Sequence, residues 1–97
     1  MAKLERLAAA RIELIPIPGL ERYFVFARDG FASLVERRGA GFGRVGAAGR
    51  VTERGFAALV WRDDEAFFVA KQFEERAGAE DVERLRRFSA DLEAALG

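Results

Sequence analysis

Apolar residues towards the C-terminal end of the chain recur at helical spacing. They fall three or four positions apart, as Val82, Leu85, Phe88, Leu92 and Leu96. This spacing places them on one face of an α-helix, so the sequence predicts a long helix over residues 79–96. Near the N-terminus, Leu4, Leu7 and Ala8 share a face in the same way and predict a short helix over residues 2–11.

Between the two helices, apolar residues occur in short runs bounded by turn residues, which is typical of β-strands. The sequence predicts strands near residues 12–17, 20–28, 31–38, 44–53, 56–62 and 66–73. Asp29-Gly30 is the strongest hairpin signal, because both central positions of a type I′ turn need positive φ. In that hairpin Phe26 should lie opposite Ser33. A second hairpin should turn through Asp63-Asp64.

A six-residue phrase appears twice, as GFASLV at residues 30–35 and GFAALV at residues 55–60. Successive side chains of a strand point to opposite faces, so each copy places its Phe and its Leu on different faces. Both hairpins are therefore apolar on both faces, and such a sheet must be covered on both sides. One long helix covers one face. For the other face the alternatives are the N-terminal helix, closure into a barrel, or a second copy of the protein.

These elements predict a single α+β domain over residues 1–97. Its antiparallel sheet of about five or six strands is built from hairpins, with the long C-terminal helix packed on it and a short N-terminal helix. A partly closed barrel is the alternative arrangement of the same sheet. Pro16 and Pro18 have no backbone N–H group to donate, so the first strand should lie at an edge of the sheet.

The composition restricts the chemistry, because the 97 residues include no Cys and no His. Their absence excludes a disulfide, a thiolate zinc site, a thiol nucleophile and the commonest general base. No motif places a hydroxyl or an amine beside an acidic base. We therefore expect a non-enzymatic protein with no metal and no cofactor.

The charge balance bears on the partners. Sixteen basic and sixteen acidic residues give a formal net charge of zero. Nucleic acids and anionic membranes attract proteins with a basic excess, so neither is an expected partner, and zero net charge weakens the repulsion that opposes self-association. No signal-peptide core or membrane span is visible near the N-terminus, which favours a cytoplasmic location. The excess of Arg over Lys and the lack of Asn fit both a thermophilic source and a GC-rich genome.

The segment of residues 39–49 contains five glycines and includes a G-x-G-x-x-G pattern. Such glycines bind phosphates through backbone N–H groups when a strand precedes them and a helix follows. No segment long enough for that helix follows here, which favours the simpler interpretation of a loop or a bulged strand. The ligand-binding candidates are the three motif glycines and two flanking arginines: Gly41, Gly43, Gly46, Arg44 and Arg50.

Two functions from different classes follow from these observations. The first is a small non-enzymatic interaction module that self-associates, as a homodimer or a higher oligomer, through an apolar sheet face or edge, with an unidentified protein as a further partner. The alternative is an anion- or nucleotide-binding domain that uses the glycine-rich residues 39–50 with their flanking arginines. A third hypothesis is a small enzyme with carboxylates as acid and base.

Overall fold

Seven antiparallel strands form one sheet in which neighbours in the chain are also neighbours in the sheet. A computed structural model describes residues 2–97. The elements in chain order are α1 (Ala2–Ala9), β1 (Glu13–Ile15), β2 (Tyr23–Arg28), β3 (Phe31–Arg38), β4 (Gly41–Thr52), β5 (Gly55–Arg62), β6 (Glu65–Ala70), β7 (Phe73–Arg76) and α2 (Ala79–Leu96). The predicted α+β class is confirmed, and the sheet is open, with β1 and β7 as its edges.

The sheet has one strand more than the upper predicted count. The sequence assigned residues 66–73 to a single strand, whereas the chain turns at Lys71 and Gln72 and returns as β7. Gln72 has a φ of 60°, in the left-handed region that favours Gly or Asn. Because the turn contains neither of these residues, no local signal in the sequence predicts it.

The turns of the two predicted hairpins have the expected geometry. Phe26 lies opposite Ser33 across the first hairpin. Asp29 and Gly30 have φ values of 52° and 86°, and a type I′ turn requires positive φ at both positions. The second hairpin turns through two aspartates with φ values of 48° and 68°, Asp63 and Asp64. The registers of both hairpins are therefore determined by their turn residues.

The sequence predicted a loop or a bulged strand for the glycine-rich segment. The structure shows a bulged strand from Gly41 onward. It forms β4, a strand of 12 residues. Three cross-strand pairs define its register against β3: Ser33 with Ala48, Val35 with Val45, and Arg37 with Phe42. Between successive pairs, two residues of β4 lie opposite one residue of β3, and this arrangement is a β-bulge. β4 therefore contains two bulges.

β4 and β5 approach very closely at Gly49. A Cβ atom on Gly49 would lie 2.0 Å from the carbonyl oxygen of Ala57, so only glycine fits there. Pairing between the two strands is confined to residues 49–52 and 55–58. Within the part of the chain that the structure describes, residues 41–48 pair with β3 alone. The two halves of the sheet therefore join through a short stretch beside Gly49.

The sheet curls about the face that carries Phe31 and Phe68. These residues belong to β3 and β6, three strand positions apart, which in a flat sheet would separate them by roughly 14 Å. The centroids of the two rings nevertheless lie only 6.3 Å apart. This face is therefore concave. We call it the inner face and the opposite one the outer face.

Helix α2 covers the inner face with the apolar stripe that the sequence predicts. Leu85, Phe88 and Leu92 are almost completely buried, and Val82 and Leu96 pack at the ends of the stripe. Together with the inward side chains of β2, β3 and β6 they form the larger of two hydrophobic clusters. Burying a side chain of this size contributes about 1.5–3 kcal/mol to stability, so this cluster is the main source of the fold's stability.

Helix α1 ends two residues earlier than predicted, in a Schellman motif. Arg11 has a φ of 62° and its N–H group donates to the carbonyl of Ala8, while that of Ile12 donates to the carbonyl of Leu7. Leu7 and Ile12 are both buried, as the hydrophobic contact of this motif requires. The Nε atom of Arg6 donates to the carbonyl of Ala95 over 3.0 Å and so attaches α1 to the end of α2.

Part of the outer face is covered by the segment that connects β1 to β2. Ile17 packs there with Val25 and Ala32 in the second, smaller cluster. The segment turns back at Pro18 and Gly19, and the N–H group of Leu20 donates to the carbonyl of Ile17 over 3.0 Å. The sequence suggested the N-terminal helix, closure into a barrel or a second copy of the protein as the cover of this face. The loop is a different cover, which the sequence analysis did not predict. It covers the part of the sheet nearest β2 and β3.

The close approach at Gly49 predicts a large effect of the substitution Gly49→Ala. The added methyl group would force β4 and β5 apart, and we expect a loss of about 2–4 kcal/mol in the free energy of unfolding. Gly41→Ala is the matched control on the same strand, because its Cβ would lie 3.7 Å from the nearest atom. Urea denaturation of both variants measures the difference. Equal stability of the two would contradict the proposed packing role of Gly49.

Candidate functional site

Four apolar residues on the outer face of β5 and β6 belong to neither hydrophobic cluster: Ala58, Val60, Phe67 and Val69. We call them the open face. All four are half-buried. Val60 lies opposite Phe67 and Ala58 opposite Val69, so the four side chains form two adjacent cross-strand pairs. They form a continuous apolar surface that the loop between β1 and β2 does not reach.

Charged side chains in balanced pairs surround the open face. An Nη atom of Arg62 lies 2.8 Å from the carboxylate of Glu74, and one of Arg76 lies 3.7 Å from that of Glu65. The Arg62 guanidinium also lies 5.4 Å from the centroid of the Phe67 ring and shields it in part. The surface therefore has an apolar centre and a rim with equal numbers of positive and negative charges.

Most free strand edges carry features that discourage pairing with another chain. β1 has only three residues and is followed by Pro16, while β7 carries the charges of residues 74–76. The free side of β4 belongs to a strand with two bulges. Short strands, charges and bulges are the usual protections of an exposed edge. The remaining edge, β5 beyond Ala58, spans four residues and includes Trp61, which is 56% exposed.

The five ligand-binding candidates from the sequence all lie on β4. Its glycines take part in a strand, and another strand follows them, so the helix of a phosphate-binding loop is not present there. At Gly43 a Cβ would lie 2.9 Å from the Cβ of Glu36, which gives this glycine a packing role. Arg44 is exposed, whereas Arg50 forms an ion pair with Glu75.

Arg44 and Arg50 lie at different points along β4. They are six residues apart, which in a regular strand would correspond to roughly 20 Å. Arg50 also lies 5.7 Å from the ring centroid of Phe68, on the inner face. The sequence-based anion site stays a prediction, and the positions of its two arginines favour separate roles for them.

A group of arginines that the sequence analysis did not single out lies elsewhere, around a cleft of about 460 Å³. The cleft is enclosed by the end of α1, the turn between β2 and β3, and α2, and the arginines that line it are Arg11, Arg28, Arg84 and Arg87. We call it the arginine cleft. The first two are 17 positions apart and the last two lie more than 50 positions further on, so no local motif signals their meeting.

Ser33, the acidic side chains and the two helices are features of residues 2–97 that bear on catalysis, metal binding and membrane insertion. Ser33 is completely buried and donates a hydrogen bond to the carbonyl of Ala47 over 3.2 Å, which fits a structural role. Within this range, acidic side chains do not gather in threes around a common point where a metal could bind. Neither described helix combines the length and the apolar character needed to cross a membrane.

Comparison with known proteins gives no family: no protein-family model, curated protein or solved structure matches this chain. A functional proposal therefore rests on the surfaces of the chain itself. These are the open face, the edge of β5 beside Trp61, the glycine-rich strand and the arginine cleft.

The contacts of Arg50 predict that it stabilises the fold. In a double-mutant cycle with Arg50→Ala and Glu75→Ala, we expect a coupling energy of about 0.5–1 kcal/mol, because the pair is partly exposed. Arg44→Ala is the control on the same strand and should change stability by less than about 0.5 kcal/mol. Urea denaturation measures all five proteins, the four of the cycle and the control. A coupling energy of zero would contradict the stabilising role of the ion pair between Arg50 and Glu75.

Proposed function

We propose that the protein is a small interaction module that self-associates through the open face. One observation carries the proposal: the four residues Ala58, Val60, Phe67 and Val69 form cross-strand pairs and pack into neither cluster. Removing apolar surface from water is the main driving force of protein association. A second copy placed on the open face would cover what this chain leaves uncovered.

The charges around the open face support a symmetric contact. A two-fold interface brings the same surface of both copies together, so each rim must be compatible with itself. Arg62 and Arg76 balance Glu65 and Glu74, and a rotated copy can therefore place each charge near an opposite one. The zero net charge of the whole chain adds little repulsion between the copies.

The open face is favoured over the edge of β5 for two reasons. Residues 59–62 offer only a four-residue edge, which limits the number of backbone hydrogen bonds that a partner strand could make. The open face, in contrast, offers four contiguous apolar side chains with a charged rim. Apolar centres with polar rims are typical of protein interfaces.

The direct test introduces a charge at the centre of the open face. We expect the wild-type protein to dimerise at tens of micromolar in analytical ultracentrifugation, and Phe67→Glu or Val60→Glu to weaken the dimer by about 30-fold or more, as expected for a central interface residue. Leu14→Glu is the matched control, because Leu14 is 57% exposed on β1, at the other end of the sheet. Circular dichroism checks that each variant folds.

A wild-type protein that stays monomeric at these concentrations would contradict the proposal. So would equal weakening by Leu14→Glu, because that result would point to general hydrophobic attraction.

The single tryptophan separates the open face from the edge of β5. Trp61 lies on β5 opposite Ala66, and its side chain points to the inner side, away from Val60. Association through the open face should therefore leave the acrylamide quenching of Trp61 fluorescence the same in dilute and concentrated samples. A marked protection of Trp61 in the dimer would assign the contact to the edge instead.

A further inference from the structure

The arginine cleft brings four cations to one place. Arg11 follows α1, Arg28 ends β2, and Arg84 and Arg87 lie one turn apart on α2. Asp29 is the one carboxylate among the residues that line the cleft. Three of the arginines also have carboxylate partners beside the cleft, in Asp91, Glu80 and Glu83. An anion in the cleft would therefore bind through the guanidinium N–H groups that these partners leave free.

Arg28 is held in place by three contacts. Its Nη1 atom donates to the carbonyl of Ala10 over 3.0 Å and lies 2.9 Å from the carboxylate of Asp91. Its guanidinium carbon lies 5.6 Å from the ring centroid of Phe88. The side chain is only 19% exposed, and both polar contacts use the same nitrogen. Among residues 2–97 the N–H groups of Nε and Nη2 have no hydrogen-bond partner, so they can donate to a ligand.

Within the described residues, the other three arginines also keep N–H donors free. Arg84 donates to Glu80 through one Nη atom at 2.6 Å, and the Nε atom of Arg87 lies 3.7 Å from Glu83, beyond hydrogen-bonding distance. Among residues 2–97 the side chain of Arg11 has neither an ion pair nor a hydrogen bond to another side chain or carbonyl. Planar guanidinium groups with free N–H donors match the oxygens of a phosphate group in bidentate geometry.

Arg11 occupies an uncommon backbone conformation. It occupies the position after α1 where the left-handed conformation normally selects Gly, and it has a φ of 62°. A non-glycine residue in this region carries a conformational cost. Gly would not carry this cost, whereas Arg adds a cation to the lining of the cleft.

We propose that the arginine cleft binds the phosphate or diphosphate group of a small molecule. The volume of about 460 Å³ accommodates such a group together with a small organic part. Phe31 and Phe88 lie in the wall but are almost completely buried, so recognition depends on the anionic group. The site is distinct from the glycine-rich strand and does not depend on self-association.

Pyrophosphate and inorganic phosphate are the probes, titrated into the full chain at constant ionic strength with sodium chloride as the reference salt. We expect saturable binding of pyrophosphate by calorimetry, with NMR shifts of the Nε–H signals of Arg11, Arg28, Arg84 and Arg87. Arg84→Gln and Arg87→Gln should each weaken binding about tenfold, because each removes a charge-assisted contact. Both lie on the surface of α2, so the variants should fold.

Two control variants complete the design. Arg86→Gln removes the same charge from the same helix at a residue that does not line the cleft and is 73% exposed, so binding should be unchanged. Arg44→Ala tests the glycine-rich strand in the same assay. The proposal is overturned if pyrophosphate does not saturate, if Arg86→Gln weakens binding as much as Arg84→Gln, or if only Arg44→Ala weakens it.

Discussion

A sheet that is apolar on both faces has to be covered on both, and a chain of 97 residues has one long helix with which to do so. Helix α2 covers the inner face, where its stripe and the curled sheet form the main core. The loop between β1 and β2 covers part of the outer face through Ile17. The open face is what remains after both coverings, and this is why the proposed self-association is located there.

The curl of the sheet depends on small residues where strands meet. Gly49 allows β4 to approach the carbonyl of Ala57, and the bulges of β4 add twist on its other side. Curling brings Phe31 and Phe68 together on the inner face and lets Arg50 reach Glu75. It also makes the outer face convex, which makes it harder for one short loop to cover.

Helices and sheet are joined at one end of the molecule by Arg28. Its contacts connect the turn between β2 and β3 with the end of α1 and with Asp91 of α2. The same junction gathers Arg11, Arg84 and Arg87 around a cleft. The fold thus offers two surfaces of different chemistry, an apolar one on β5 and β6 and an arginine-lined one at the helix junction. Neither surface requires the other, so each proposal stands on its own residues.

Local patterns of the sequence determined the elements of this protein. The stripe of α2, the turn at Asp29-Gly30 and the alternation of the repeated phrase depend on neighbours within a few residues, and each predicted its structure. The turn at Gln72 has no such signal. The sequence therefore predicted neither this turn nor the strand β7 that follows it. Only the tertiary structure decided that Gly49 meets Ala57, that the loop at Ile17 covers the sheet, and which arginines share a cleft. These are contacts between segments distant in sequence, and they depend on the curl and packing of the whole sheet, which no local spacing records.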